Sequence, residues 1–518
     1  MLFFLFLLKV CAVQAQTFNN RYDLFENDRQ QISWGIEQGL PGQYILIQGS
    51  WELDSLGPNY FIEHYILGLT AITEEGQKLW DKKLYYPEQS RLPGWANCCD
   101  SMPGGGVVVA GSIEDLDDNL MVHLAVFDAN GDTVFTRNLG HPGPRWNAFQ
   151  VKRLQDGGFI ITGQTQATGY LDGFALKTDE QGNELWRRTY GQPAPVTDGF
   201  LGGLELPGGD LITGGSNFPT PTTHRLWLQR LDPAGEVVWS EYYGLAPTGA
   251  ATAQLSLTQG HLILLASSKQ YALSNSIYAQ RPYLALVDPL DGGMIWEKEY
   301  GAIAPFHLLY TAKETPTGDI IACGVSEEIG GMQGVLLRTT SEGDSLWMFR
   351  YFYQDDVINT GTGQFYDVLP TPDGGFIATG PAYNPLNQQY PPGYSQDAWV
   401  VKVDAFGCII PGCNPVGITE QATNLLDALR IWPNPVAQGG QVHVQLDLPP
   451  SVNTKDLELS IVSMDGKVVY RQAVGTVTLS PPKGHPFTLS PSHLSPGLYR
   501  LHITNGTTWL TGGKLVVE

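Results

Sequence analysis

The sequence predicts an all-β protein, a seven-bladed β-propeller followed by a C-terminal immunoglobulin-like β-sandwich. Three observations lead there. A unit of about fifty residues recurs along most of the 518-residue chain. Every copy opens on a glycine-rich turn and a short apolar run, and after about residue 426 the pattern changes to closely spaced strands of period two.

The unit is plainest from Leu154 to Gly191. Asp156-Gly157-Gly158 supplies residues that tolerate positive φ, and Phe159 to Thr162 has the length of a buried strand. Phe174 to Lys177 is the next strand, and Asp179-x-x-Gly182 is a hairpin-turn signal. Leu185 and Trp186 then lead a last strand that ends at Tyr190-Gly191. The turn and apolar run recur after Gly42, Gly105, Gly158, Gly209, Gly260, Gly318 and Gly375, which makes seven copies. The large residue of the last strand falls at Trp80, Phe135, Trp186, Trp239, Trp296 and Trp347, at intervals of 55, 51, 53, 57 and 51.

The seventh copy lacks that residue, because Asp404-x-x-Gly407 runs into Cys408-Ile409-Ile410-Pro411 and the proline opposes a regular strand. Four copies carry Trp-x-x-x-Tyr, and the N-terminal segment offers Phe18-x-x-x-Tyr22. Residues 17 to 24 are therefore expected to supply the missing outer strand of the seventh blade. The expected organisation is a signal peptide over 1–15, a propeller over 16–413, a linker over 414–426 and a β-sandwich over 427–518.

Sixty Gly, 35 Pro and 16% charged residues fit a turn-rich β chain, and 11% aromatic residues argue against disorder. Residues 426–518 carry 7 Lys+Arg and 6 Asp+Glu, so the rest has 23 basic and 46 acidic residues, a net of −23. Such a surface repels phosphate backbones, and nucleic acid is excluded as an expected partner. MLFFLFLLKVCAVQAQ reads as a signal peptide, imperfect because Lys9 interrupts it, with a cleavage site at Val13-Gln14-Ala15. No other stretch approaches a membrane span, so the mature chain is expected to lack a transmembrane segment. Cys408 and Cys413 bracket a Pro-Gly turn and are the candidate disulfide; a metal site there lacks Cys-x-x-Cys spacing or paired His. Cys98 and Cys99 are adjacent and cannot bond each other without strain.

In the tail, Ile431-Trp432-Pro433-Asn434-Pro435 precedes the alternating VHVQLDL, and Asp465-Gly466 marks a hairpin turn. Near the end, Leu494 to Ile503 alternates so that Tyr499, Leu501 and Ile503 would face a core, and Lys514 to Val517 forms a last strand. With this order of Pro433, Asn434, Pro435, Asp465, Gly466, Pro496, Gly497, Tyr499 and Lys514, the tail resembles the type A C-terminal sorting domain of the type IX secretion system of Gram-negative bacteria. The resemblance implies export through the periplasm, recognition of the tail by the outer-membrane translocon, and a cargo that is secreted or attached to the cell surface.

The chemistry-bearing motifs are sparse. His-Glu-x-x-His, a P-loop and Gly-x-Ser-x-Gly are absent, and no two His have ligand spacing. Gly-x-x-x-Trp, as in Gly182 to Trp186, is similar to part of the docking motif of quinoprotein dehydrogenases, but it is shorter and reads as Trp packing between blades. Glu114 to Asn119 could place oxygen ligands for Ca²⁺, although the EF-hand Gly and distal Glu are missing and a solvated loop is the better account. Tyr383 to Tyr394 is an aromatic loop that could line a glycan- or peptide-binding rim. No catalytic, cofactor-binding or metal-binding residue is assigned. The expected function is a secreted or cell-surface binding module with a glycan or protein ligand; the alternative is an extracellular hydrolase or lyase with carboxylates converging on the propeller channel.

Overall fold

The computed structural model describes residues 17–22, 31–57, 60–84, 89–115, 119–140, 143–192, 197–220, 223–244, 254–274, 277–327, 331–353, 362–383, 396–409, 429–446, 457–463, 468–474, 487–489, 494–505 and 508–518. The predicted signal peptide, the linker, Cys413, Asp465-Gly466 and nearly all of the Tyr383–Tyr394 loop lie outside them. None of the described residues is helical.

Residues 18–402 form one compact unit. Its described residues form seven antiparallel sheets whose leading strands are Gln31–Gln38, Cys99–Met102, Trp146–Arg153, Thr197–Glu205, Gln254–Leu257, His307–Glu314 and Asp367–Pro370. Five sheets and the last consist of four strands in meander order, each strand pairing with the next. The second sheet differs, because Gln89–Pro93 and Cys99–Met102 both pair with Gly106–Asp115. In the seventh sheet the fourth place is taken by Phe18–Tyr22, which pairs with Gln396–Val403 from Phe18 opposite Lys402 to Tyr22 opposite Ala398.

The turns explain the recurrent Asp-x-x-Gly. Asp179 Oδ1 accepts the backbone N–H groups of Gln181 at 3.0 Å and Asn183 at 2.8 Å, and Gly182 takes φ of 76°. Asp128 and Asp232 bind their own turns in the same way. These carboxylates therefore complete backbone turns.

The recurrent Trp-x-x-x-Tyr is a clasp between consecutive sheets. Trp186 donates its indole N–H to Pro233 O at 3.1 Å, and Tyr190 donates its hydroxyl to Gly235 O at 2.8 Å. Trp239 and Tyr243 grip Pro289 O and Gly292 O, while Trp296 and Tyr300 grip Ser341 O and Gly343 O. The residue that each of these tyrosines grips is glycine, and a Cβ there would crowd the clasp: on Gly343 it would lie 2.9 Å from the Trp296 ring. Phe18 and Tyr22 make the equivalent clasp on the first sheet, with Tyr22 donating to Gly76 O at 2.7 Å. Arg21 adds an ion pair to buried Asp397 at 2.9 Å, and Asn19 accepts the Trp399 indole N–H at 2.7 Å.

Apolar cores lie between successive sheets. Ile45 and Ile47 of the first meet Val107 and Val109 of the second, and so on to Leu309 and Ile320 of the sixth, packed against Leu264 and Leu284 of the fifth. The succession closes on itself, because Phe18, Ile377, Ala398 and Val400 pack against Ile36, Tyr44 and Leu46 of the first sheet.

The tail has a three-stranded sheet, Leu429–Trp432, Val442–Leu446 and Phe487–Leu489, and a four-stranded sheet, Val468–Ala473, Leu457–Ser463, Gly497–Asn505 and Thr508–Val517. One core joins them, with Val442, Val444 and Leu446 against Leu459, Ile461, Leu501 and Ile503. Tyr499, Leu501 and Ile503 are all buried, as their alternation requires. Asn434 pins the last strand by donating to Lys514 O at 2.6 Å and accepting the Val516 N–H at 2.9 Å.

Candidate functional site

The sheet registers align the seven leading strands, and three successive levels of side chains follow from that alignment. At the first level, the ladder is interrupted at Trp34, Phe149, Leu201 and Tyr310, each an extra residue between paired neighbours. A bulge re-aims its side chain out of the alternating pattern. Tyr366 occupies the same place in the seventh strand, immediately before Asp367. Trp34 stacks on Tyr366 with centroids 4.7 Å apart, Trp95 lies 5.3 Å from Trp34, and Tyr310 meets Tyr366 edge-on at 4.9 Å. Beside this aromatic group is a cavity of about 480 Å³ whose walls include Trp34, Trp95, Phe149, Leu201, Asn147 and Gln164. No residue of its wall carries an ionisable side chain.

The second level holds a chain of buried amides. Gln150 Nε2 donates to Gln254 Oε1 at 2.9 Å, Gln254 Nε2 donates to Ala96 O at 3.0 Å, and Gln150 Oε1 accepts the Gly203 N–H at 2.7 Å. The two amides thus form a crossbar from the third sheet to the fifth and on to the second. It passes over Gly202, where a Cβ would stand 3.3 Å from Gln150 Oε1.

At the third level, two residues further along, the aligned positions are Glu37, Asp100, Lys152, Leu204, Ser256, Lys313 and Leu369. Lys152 pairs with Asp100 at 3.6 Å and donates to Cys99 O at 3.0 Å. Lys313 pairs with the fully buried Asp367 at 2.9 Å, and the other Asp367 oxygen accepts the Ile36 N–H at 3.1 Å. Burial pushes the Glu37 carboxyl up to about 7; Lys313 and Lys152 oppose the rise, while Asp100 and Asp367 add to it. Burial alone would lower the two ammonium groups, but Asp100 and Glu37 at Lys152, and Asp367 and Glu37 at Lys313, raise both on balance.

Three thiols border this level. Cys98, Cys99 and Cys323 are free and buried, and burial pushes the Cys98 thiol up to about 12, which makes it a poor nucleophile.

The other sequence-stated candidates fall elsewhere. Cys408 is disulfide-bonded. Glu114 of the acidic loop pairs with Arg145 at 3.0 Å, and no group of metal-ligating side chains occurs among the described residues. Among the tail residues, Tyr499 donates its hydroxyl to Ser495 O at 2.7 Å, which fixes the turn that holds Pro496 and Gly497. No described helix is long and apolar enough to cross a membrane. Neither the aromatic cavity nor the crossbar was foreseen from the sequence. A signal exists: Trp34, Phe149, Leu201, Tyr310 and Tyr366 each stand ten residues before the first apolar residue after the glycine turn, Gln150 stands nine before, and Gln254 stands nine before Ile263, which opens the next strand.

Residues 430–518 match the secretion system C-terminal sorting domain family. That tail directs export through the type IX machinery, and the chain is secreted or attached to the cell surface. No curated protein matches the chain. A protein of unknown function from Dyadobacter fermentans is similar at 10% identity and a TM-score of 0.43, over 75% of this chain and 97% of that one. The quinohemoprotein alcohol dehydrogenase of Comamonas testosteroni gives 12% identity and a TM-score of 0.38 over 85% and 74% of the two chains. The α-L-arabinanase of Penicillium chrysogenum gives 12% and 0.38 over 76% and 98%.

Proposed function

We propose that the chain is an exported binding protein, a seven-bladed β-propeller closed by its N-terminal strand and carried outward by an immunoglobulin-like sorting tail, which takes an uncharged ligand in the cavity beside Trp34. Residues 1–15 are the signal peptide in this reading, 16–413 the propeller with a Cys408–Cys413 disulfide, 414–426 the linker and 427–518 the tail. Seven sheets in succession, with the last packed on the first, support the propeller.

One observation carries the choice of binding over catalysis. The cavity wall has no titratable group, whereas acid–base chemistry needs one within hydrogen-bond reach of the reacting atoms. Of the charged groups of the leading strands, Glu37, Asp100, Lys152 and Lys313 stand two residues past the level of the Gln150–Gln254 crossbar, Asp367 stands at that level in its pair with Lys313, and Asp198, beside the wall's Gly199, is buried and bound by the Asn217 amide.

Glu37 supports a second reading, a hydrolase or lyase working from the other side of the crossbar, since a carboxyl poised near 7 suits general acid–base work. Two measurements test these statements. The native host's medium and outer membrane should hold the full protein, and a gene ending after Cys413 should leave its product in the periplasm; unchanged export would sink the tail's role. Purified protein incubated with extracellular glycans and proteins should bind without turnover, and turnover abolished by Glu37→Gln would favour the enzyme.

A further inference from the structure

We propose that the cavity beside Trp34 holds the end of a neutral glycan chain, one or two sugar rings deep; this rests on the binding-protein reading and names its ligand. Four features of the wall lead to that class.

The first is the pairing of flat apolar faces with neutral amides. Trp34, Trp95, Phe149 and Phe218 supply aromatic surface, which suits the C–H faces of a pyranose, while Asn147 and Gln164 supply carboxamides. Asn147 Oδ1 is occupied by the Ser112 hydroxyl at 2.8 Å, so its N–H groups are the donors left for a ligand. Gln164 spends an N–H on Asp198 O at 3.4 Å, which leaves Oε1 as an acceptor. A sugar hydroxyl both donates and accepts, and it matches such a mixed wall.

The second is the glycine that keeps this amide in place. A Cβ on Gly199 would lie 2.1 Å from Gln164 Nε2, so any larger residue would push the carboxamide out of the wall.

The third is charge. A carboxylate, sulfate or phosphate entering a wall without cations would lose hydration and gain no partner. The surrounding body, with 23 basic and 46 acidic residues outside the tail, repels polyanions as well.

The fourth is depth. The crossbar Gln150–Gln254–Ala96 lies one residue beyond the wall's bulged Phe149 and Leu201, so a chain threading onward along the leading strands would have to break two buried amide bonds. Its volume of about 480 Å³ falls in the lower half of the about 300–1,000 Å³ typical of small-molecule sites, room for a chain end.

The test uses the mature full-length protein, with isothermal titration against neutral gluco-, manno- and xylo-oligosaccharides of two to six units and against oligouronates of matched length. At least one neutral series should bind with affinity constant from two units upward and with one protein per chain whatever its length. Asn147→Ala, an exposed position, should weaken binding at least fivefold without moving the melting temperature. Leu201→Trp, which fills the cavity, should abolish it. Equal or tighter binding of oligouronates, several proteins per long chain, or no neutral oligomer bound at millimolar concentration would each overturn the proposal. If a peptide binds instead and Leu201→Trp blocks it, the glycan inference falls while the binding-protein reading stands. If a neutral oligomer is bound by its end and cleaved, the ligand class stands and the non-catalytic reading falls.

Discussion

The Gln150 amide donates to the Gln254 carbonyl oxygen at 2.9 Å directly above Gly202, so two sheets that are not neighbours are tied through the space a missing side chain leaves. Gly202→Ala should cost under about 1 kcal/mol, since its Cβ would sit 3.3 Å from Gln150 Oε1 and the amide can yield slightly. Gly202→Val should cost about 1–3 kcal/mol through overpacking. Gln150→Ala should cost about 1–3 kcal/mol, because the buried Gly203 N–H then has no acceptor. Urea melts of the three variants check the order.

Glu37 gives stability a pH dependence. Its folded pKa is raised from 4.5 to about 7, so the native state binds the proton more tightly than the unfolded chain. The associated stability is fully present below about 4.5 and is lost as pH rises through about 7. Glu37→Gln should remove that slope and melt higher than the native protein at pH 8, by on the order of 3 kcal/mol at most, with little difference at pH 4. Equal melting shifts at both pH values would contradict it.

Each tyrosine clasp should contribute the net worth of one hydrogen bond. Tyr300→Phe keeps the ring and loses only the 2.7 Å bond to Gly343 O, for an expected loss of about 1 kcal/mol. Tyr190→Phe should behave alike at Gly235. The two sites lie in different sheet pairs, so the double variant should show additive losses in chemical denaturation.

Deleting residues 17–22 removes the strand that covers Gln396–Val403, and with it the Arg21 ion pair to Asp397 and the Asn19 acceptor of the Trp399 indole. A bare apolar strand edge is a template for self-association. The shortened protein should aggregate on light scattering and melt well below the full chain, whereas Asn19→Ala should scatter like the unaltered protein and lose about 1–2 kcal/mol.

In the tail, Asn434→Ala removes both side-chain bonds from Asn434 to the last strand, and should lower the stability of that unit by about 1–2 kcal/mol. Immunoblots of culture medium should then show less exported protein. The structure supports asparagine itself here, because only a carboxamide donates and accepts in one side chain of that length, so Asn434→Asp should fail as well.

What the sequence discloses is what repeats locally. Gly182 and Asp179 announce their turn because the chemistry lies within four residues, and the Trp186–Tyr190 spacing announces a strand. The partner of that pair, Gly235, stands 45 residues away and becomes evident only when two sheets are set side by side. The cavity is further from view. Trp34, Phe149 and Tyr310 look like members of alternating strands, and the bulges that turn them aside leave no mark in composition. Glu37, Lys152 and Lys313 each look like a charge near a turn, and their shared level emerges from the register of seven sheets.

Phe18 stands directly opposite Lys402, so the two ends of a unit of almost four hundred residues form one rung of a single ladder. Topologically the unit is then a circle, and the point at which the gene cuts it is a matter of convenience for the fold. A circular permutant that joins these ends with a few glycines and opens instead at the turn between Asp128 and Asp132 would keep every sheet contact. Its chain would begin and end at the second sheet instead of the seventh.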